Sequence, residues 1–204
     1  WSSDVCSSDL LMLFVFNPII GVINDALANL LNSMGSTSKV ILGIVLGGMM
    51  AIDMGGPINK AAYVFGTMSI ANGNYDIMAA VMVGGMVPPI GIALATTFFK
   101  NRFSKSERQS GITNYVMGLA FITEGAIPFA AADPLHVIPA AAVGAAVAGA
   151  LSMVFGCTLM APHGGLFVFP VVGNWPMYLV ALAAGSVITM FMLALLKKPV
   201  YKEN

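Results

Sequence analysis

Charged residues are scarce in this sequence. Of the 204 residues, 9% are Asp, Glu, Lys or Arg and 58% are hydrophobic, and the mean hydropathy is +0.87. A soluble globular domain carries about 25% charged residues and about 45–50% apolar residues. So few charges cannot cover a globule of this size, which excludes a water-soluble monomer, a disordered chain and a coiled coil. The composition therefore predicts an all-α integral membrane protein.

Cysteine and histidine are also scarce, and basic residues do not outnumber acidic ones. Cys6 and Cys157 are the two cysteines, which is too few for a disulfide scaffold. His136 and His163 lie far apart in the chain, and with one cysteine they do not make a zinc ligand set. Nine bases balance nine acids, so the basic surface of a nucleic-acid binder is absent. We predict no metal, no cofactor and no nucleic-acid partner.

The first ten residues, WSSDVCSSDL, differ in character from the rest of the chain. They are polar, and DVCSSDL is the translation of GAC GTG TGC TCT TCC GAT CT, a common sequencing-adapter sequence. We interpret residues 1–10 as an adapter scar, to be excluded from fold reasoning. Under that interpretation Asp4 and Asp9 are not native, Cys157 is the one native cysteine, and the native chain extends further on the N-terminal side.

Residues 11–38 are predicted to hold the end of a membrane helix and an amphipathic connector. The apolar run at 10–16 is too short to span a bilayer, which takes about 20 residues. In 19–34, apolar residues recur every three to four positions opposite Asn24, Asp25 and Asn29, which is typical of a helix lying along the membrane interface.

Three apolar segments follow Lys39. The segment 40–54 should end at Gly55-Gly56-Pro57, because proline cannot donate to the preceding turn. The segment 58–72 is interrupted by polar residues and is too short for a clear span. The segment 77–99 has 23 uncharged residues and is predicted to cross the membrane with a kink at Pro88-Pro89.

The hydrophilic segment 100–108, KNRFSKSER, carries four bases and one acid and is predicted to be a loop. By the positive-inside rule it is cytoplasmic, as is the tail at 200–204 with the lysines just before it. An even number of crossings must then separate the two. We predict two: a helix over 135–160, opened by Asp133 as N-cap and Pro134, and a helix within 166–196. The segment 112–132 is predicted to be a re-entrant hairpin.

Polar residues coincide with helix-breaking Gly or Pro at three places. Asp53, Asn59 and Lys60 flank Gly55-Gly56-Pro57; Glu124 lies in ITEGAIP; His163 and Gly164 lie in PHGG. Broken backbone at membrane depth is tolerated where protein or a water-filled cavity satisfies the freed groups. We therefore predict one polar cavity near the bilayer midplane, as in transporters.

Individually these residues have structural explanations too. Asp53 is equally well explained as a cap for the turn before Pro57, and Lys60 as a side chain that reaches the interface. His163 suits a flexible loop, and His136 suits the first turn of a capped helix. Glu124 is the hardest to explain as structural, because a charge inside lipid costs at least about 2.5 kcal/mol.

The sequence resembles a known family at these residues. The motifs GGPINKAAYVFG (55–66), MVPPIGIALAT (86–96), FITEGAIPFAAADPLHVIP (121–139) and LMAPHGGLFVFP (159–170) are similar, in the same order, to those of the fructose-type enzyme IIC of the bacterial sugar phosphotransferase system. The resemblance covers residues 11–199. One departure is His136, where the family more often has Arg.

This resemblance implies a fold, a substrate and partners. The fold is the glucose-type IIC superfamily fold, with residues 39–199 as the sugar-binding transport domain of a homodimer in the cytoplasmic membrane. Glu124 falls on the family's sugar-contacting glutamate and is the predicted catalytic residue. Asn59, Lys60 and His163 fall on polar motif residues, and Asp53 and Gly164 complete the predicted substrate-binding set.

The implied mechanism is group translocation. Fructose enters from outside, and a phosphorylated IIB domain, itself supplied by a IIA domain, transfers a phosphoryl group from its phosphocysteine; this chain holds no such donor. The chain is thus expected to act as the membrane subunit of a sugar phosphotransferase. One alternative is an ion-coupled secondary transporter in which Glu124 carries a proton, and another is a structural membrane subunit, which leaves the three polar breaks unexplained.

Overall fold

The structure, a computed structural model, describes residues 36–198. The predictions of an adapter scar at 1–10, of a membrane-helix end and an amphipathic connector up to residue 35, and of a tail at 200–204 lie outside the described residues. The chain divides into two compact units, residues 1–36 and 37–204, and the second contains every described residue except Ser36.

Seven α-helices account for most of the described residues. They are α1 (Ser36–Ile52), α2 (Pro57–Ala71), α3 (Tyr75–Phe98), α4 (Lys105–Leu119), α5 (Ile127–Ala132), α6 (Pro134–Val154) and α7 (Trp175–Leu196). Short 3-10 turns lie at Lys100–Arg102, Thr123–Ala126 and Leu166–Val171. Two strands of two residues, β1 (Thr158–Leu159) and β2 (Val172–Gly173), pair antiparallel with Thr158 opposite Gly173.

Three of these helices, α3, α6 and α7, are long and apolar enough to cross a membrane. Two of them follow the basic segment, as predicted, and the prediction of an all-α membrane protein is confirmed. The small β1–β2 ladder is an addition that the sequence patterns did not indicate.

Helix α3 is the centre of the bundle. Its side chains are largely buried, and α2, α4, α6 and α7 all pack against it. The packing is close because glycines face neighbouring backbones: a Cβ at Gly84 would lie 2.8 Å from the Cα of Gly47 in α1. Small residues at helix crossings permit such close approach, which is how helices associate in lipid. The helix continues through Pro88 and Pro89.

The predicted boundaries of the later helices were partly wrong. Helix α6 ends at Val154, before the predicted residue 160, because Gly156 takes a left-handed φ of 63° and turns the chain into β1. Helix α7 begins at Trp175, nine residues into the predicted segment 166–196, with Asn174 at φ 59° before it and Pro176 in the first turn.

The predicted hydrophilic loop at 100–108 was also wrong in its second half. Helix α4 begins at Lys105, because Ser104 and Glu107 form a capping box. The Glu107 N–H donates to Ser104 Oγ at 3.2 Å, and the Ser104 N–H donates to Glu107 Oε2 at 2.7 Å. This S-x-x-E arrangement satisfies two backbone donors of the first turn.

The basic segment and the C-terminal end of α7 lie at the same end of the bundle. Lys197 Nζ donates to Glu107 Oε1 at 2.5 Å and lies 4.4 Å from the ring centroid of Phe103. The guanidinium of Arg102 donates to the Lys197 carbonyl. For the residues up to 198, the two segments therefore lie together, as a shared side of the membrane requires.

Candidate functional site

The first polar break is the turn between α1 and α2. Met54 and Gly55 have positive φ values of 48° and 114°, which reverses the chain within a few residues. The Asp53 carboxylate accepts hydrogen bonds from the N–H groups of Ile58 at 2.6 Å and Asn59 at 2.9 Å. These N–H groups belong to the first turn of α2 and have no intrahelical acceptor. Asp53 thus caps α2, the structural role considered for it from the sequence.

Asn59 and Lys60 also hold this turn. Asn59 is buried, and its amide nitrogen donates to the carbonyl of Met50 in the last turn of α1 at 2.7 Å. Lys60 is exposed, and its Nζ donates to the carbonyl of Gly55 at 2.6 Å. The Asn59 side chain therefore ties α2 to α1, and Lys60 brings a positive charge to the Gly55 turn.

The second break lies between α4 and α5. Phe121 has a φ of 61°, a value that few residues other than glycine adopt. Two residues on, Thr123 Oγ1 donates to the carbonyl of Gly85 in α3 at 3.0 Å. This carbonyl would otherwise accept from the residue four positions later, but that residue is Pro89, which has no N–H. Thr123 therefore pairs a carbonyl that the proline frees.

Glu124 follows directly and lies against the first break. A Cβ at Gly55 would be 2.9 Å from Glu124 Oε1 and 3.2 Å from its carboxyl carbon. The side chain is exposed, and no described residue pairs with its carboxylate. An unpaired carboxylate beside a glycine turn is available to accept hydrogen bonds from a ligand.

The third break, PHGG, packs on the other two. The His163 ring lies 5.8 Å from the Phe121 ring centroid, and its Nδ1 accepts from the Gly165 N–H at 3.2 Å. A Cβ at Gly164 would be 2.7 Å from Phe121, so this glycine is required by space. Tyr63 of α2 donates from its hydroxyl to the Pro162 carbonyl at 2.8 Å.

The three breaks therefore meet in one place, with Phe121 touching the third break and Glu124 touching the first. The sequence predicted that they would form one polar site, and it named Asp53, Asn59, Lys60, Glu124, His163 and Gly164 as its residues. It did not single out Tyr63, Phe121 or Thr123. The available signal was their position inside the same motifs, with Thr123 one residue before Glu124.

Three other residues considered from the sequence, Asp133, His136 and Cys157, lie outside this site. Asp133 is the N-cap residue of α6, as predicted, although its side chain makes no capping hydrogen bond. Its carboxylate instead pairs with His136 Nδ1 at 2.6 Å. Cys157 is fully buried. No group of three or more His, Cys, Asp or Glu side chains that could hold a metal occurs within residues 36–198.

Comparison with curated proteins finds relatives whose names refer to fructose. The chain is 56% identical over 194 residues to the "PTS system fructose-specific EIIABC component" of Bacillus subtilis, covering 95% of this chain and 31% of that protein. It is equally identical over 194 residues to the "Fructose permease IIC component" of Bacillus amyloliquefaciens, covering 95% of this chain and 64% of the relative. The "PTS system fructose-specific EIIB'BC component" of Escherichia coli is 46% identical over 197 residues, which cover 93% of this chain and 34% of that protein.

The chain thus spans between about a third and two thirds of the length of these relatives. No protein-family model matches the chain. No solved structure matches it either.

Proposed function

Because this chain belongs to the fructose-type IIC family of the bacterial phosphotransferase system, we propose that it forms the sugar-binding part of a permease that takes up fructose coupled to its phosphorylation. The relatives' names supply the sugar and the system. The observation that carries the site is the exposed Glu124 carboxylate, unpaired within residues 36–198, against the Gly55 turn.

Sugar recognition at this place follows from the available donors and acceptors. Hydroxyl groups both donate and accept, and a carboxylate accepts through two oxygens. The Glu124 carboxylate accepts hydrogen bonds from sugar hydroxyls. His163 offers the ring nitrogen that does not bond to Gly165. Lys60 donates one ammonium hydrogen to the Gly55 carbonyl and offers its other hydrogens to the sugar. Asn59 and Asp53 are already engaged in backbone hydrogen bonds, so their part is to hold the turn that faces Glu124.

The phosphoryl donor belongs to a partner. Cys157 is fully buried and unsuited to that role. A phosphocysteine on a IIB domain, recharged by IIA, supplies the phosphoryl group: the sugar hydroxyl oxygen bonds to phosphorus, the phosphorus–sulfur bond breaks, and the hydroxyl proton leaves. Glu124 is positioned to accept this proton when it contacts that hydroxyl. Residues 39–199 form the transport domain of a homodimer in the cytoplasmic membrane.

The proposed orientation places the basic end in the cytoplasm. Lys100, Arg102, Lys105 and Arg108 lie near Lys197 and Lys198 at one end of the bundle. An excess of Lys and Arg marks the cytoplasmic side of membrane proteins. The IIB partner must also approach from the cytoplasm, so the donor and the basic end share a side.

The test is uptake of labelled fructose by membrane vesicles that contain the complete gene product, with phosphoenolpyruvate and the soluble phosphoryl carriers. Wild type is expected to accumulate fructose phosphate, and Glu124→Gln to lose about tenfold to a hundredfold of this activity, as expected for a lost charged hydrogen bond. Asp76→Asn, which removes a carboxylate from the first turn of α3, is the charge-matched control and should retain activity. Free fructose accumulating with a proton gradient would contradict the proposal and favour a secondary transporter.

A further inference from the structure

A second polar feature lies at the basic end, away from Glu124. A cavity of about 450 Å³ opens between the end of α3 and the start of α4. Its lining includes Lys100, Lys105 and Arg108, the hydroxyl-bearing Thr96 and Thr97, and Ile112 at one side. No acid contributes to the lining. We call this the basic cavity.

The bases of this cavity are not used elsewhere in the described structure. Lys100, Lys105 and Arg108 form no ion pair within residues 36–198, and the nearby Glu107 is paired with Lys197. The Nε of Arg108 is shielded from solvent and has no hydrogen-bond partner among the described residues. A shielded guanidinium nitrogen without an acceptor is costly, which points to an anionic ligand that supplies one.

The two Thr hydroxyls of the basic cavity are already engaged as hydrogen-bond donors. Thr96 Oγ1 and Thr97 Oγ1 both donate to the carbonyl of Ala93, at 2.8 and 2.9 Å, and Tyr115 donates to Thr97 Oγ1 at 2.9 Å. The remaining donors of the lining are the three cations and the amide of Gln109. Several cations around one cavity suit a phosphate group, whose oxygens accept from more than one donor.

An exposed apolar stripe continues from the basic cavity along α4. Ile112 and Val116 are 66% and 70% exposed, and Leu119 is 40% exposed. With Arg108 they recur every three to four residues and so lie on one face of the helix. At about 1.5 Å per residue, the stripe from Arg108 to Leu119 is about 16 Å long. This length is half the hydrocarbon thickness of a bilayer, which is about 30 Å.

We propose that the basic cavity binds the phosphate of an anionic phospholipid headgroup, with an acyl chain of the same lipid lying along Ile112, Val116 and Leu119. The lipid is favoured over a soluble phosphate because the cation cluster and the apolar stripe are contiguous on one helix face. Negative lipids attract bases at the membrane surface by about 1 kcal/mol per Lys or Arg.

The test measures lipid retention by the complete protein. Protein purified from nanodiscs of phosphatidylcholine and phosphatidylglycerol is analysed by native mass spectrometry. Wild type is expected to retain phosphatidylglycerol over phosphatidylcholine, and the double variant Lys105→Gln/Arg108→Gln to bind it about tenfold more weakly. Lys198→Gln removes a charge at the same end but outside the lining, and should retain the lipid. Val116→Asn, with charge unchanged, should also weaken retention.

Other results would overturn the proposal. Equal loss in Lys198→Gln would mean a diffuse charge effect, and equal retention of both lipids would exclude a headgroup site. Displacement of the lipid by inorganic phosphate at matched ionic strength, with no effect of Val116→Asn, would assign the cavity to soluble phosphate. Loss of IIB binding in the double variant with lipid retention unchanged would assign it to the protein partner. If the double variant fails to insert, the exposed Lys105→Gln alone supplies the comparison.

Discussion

Thr123 Oγ1 lies 3.0 Å from the carbonyl oxygen of Gly85 and donates a hydrogen bond to it. The Gly85 carbonyl lacks its intrahelical donor because Pro89 occupies the fourth position after it. One proline in a buried helix thereby creates an acceptor, and the segment that carries Glu124 supplies the donor. Thr123 thereby holds the break between α4 and α5 in place, directly before Glu124, the residue proposed to bind the sugar.

This relationship predicts a coupling between Thr123 and Pro89. Thr123→Val leaves the buried Gly85 carbonyl unpaired and should lower the free energy of unfolding by about 1–3 kcal/mol, measured by denaturant titration in detergent. In a Pro89→Ala background the loss should be clearly smaller, because the substituted alanine restores the backbone N–H. Thr67→Val, whose hydroxyl bonds within its own helix, is the control and should change stability by less than about 0.5 kcal/mol. An equal loss in both backgrounds would contradict the assigned coupling.

Gly55 is predicted to control the position of Glu124. In Gly55→Ala the new methyl group would lie 2.9 Å from Glu124 Oε1 and so displaces the carboxylate. We expect fructose phosphorylation by vesicles to fall by about tenfold or more, the effect of losing a charged hydrogen bond.

Gly73→Ala separates displacement from backbone strain. Gly73 also has a positive φ, of 77°, but no atom lies within 4 Å of its Cβ position. Both variants place a Cβ at a positive φ, which strains the backbone, whereas Gly55→Ala alone also moves Glu124. Similar activity losses in the two variants would show that the Glu124 contact is not responsible.

Neighbouring glycines in α1 are predicted to respond oppositely to alanine. A Cβ at Gly47 would lie 2.3 Å from the Ala145 carbonyl oxygen, so Gly47→Ala should force α1 away from α6 and cost about 1–3 kcal/mol. At Gly48 the nearest atom is 3.9 Å away, and Gly48→Ala should be neutral or stabilising by up to about 1 kcal/mol. Thermal unfolding in one detergent measures both. Two equal shifts would exclude close α1–α6 packing.

Glu107 is predicted to make stability depend on acidic pH. Burial opposes its ionisation, but the hydrogen bonds from Lys197 and Ser104 and the Lys197 charge outweigh this, so the pKa of Glu107 lies below its ordinary value of 4.5. Stabilisation by a carboxylate with a lowered pKa is present above the ordinary value and is lost as the pH falls through the lowered one. The stability difference between wild type and Glu107→Gln should therefore be constant from pH 7 to about 5 and shrink below about 4.5.

The matched variant for this prediction is Lys197→Gln, which removes the same ion pair from the other side. Its stability should also be lower than wild type near neutral pH, and its decline below about pH 4.5 should be weaker than in wild type. The measurement is thermal unfolding across pH in a non-ionic detergent. A pH profile unchanged in both variants would exclude Glu107 as the titrating group.

The sequence predicted helix positions well where the determining signal lies within a few residues of the helix. The long apolar run of α3 and the Gly55-Gly56-Pro57 break were both correct because composition and proline act within a few residues. The start of α4 was missed because a polar segment is compatible with a loop, whereas the Ser104–Glu107 capping box starts a helix there. The end of α6 was missed because an apolar sequence does not reveal that Gly156 turns left-handed.

The sequence by itself determined that this chain resides in a membrane, since its apolar composition leaves it no stable water-facing surface. It also determined that three Gly- and Pro-containing motifs each carry a polar residue. The tertiary structure decided which residues of the three breaks contact one another. Glu124 lies beside Gly55, and His163 beside Phe121, because glycine contacts bring the helices together and because Thr123 pairs with a carbonyl 38 residues away. Such partners depend on how the helices pack, which no local pattern encodes.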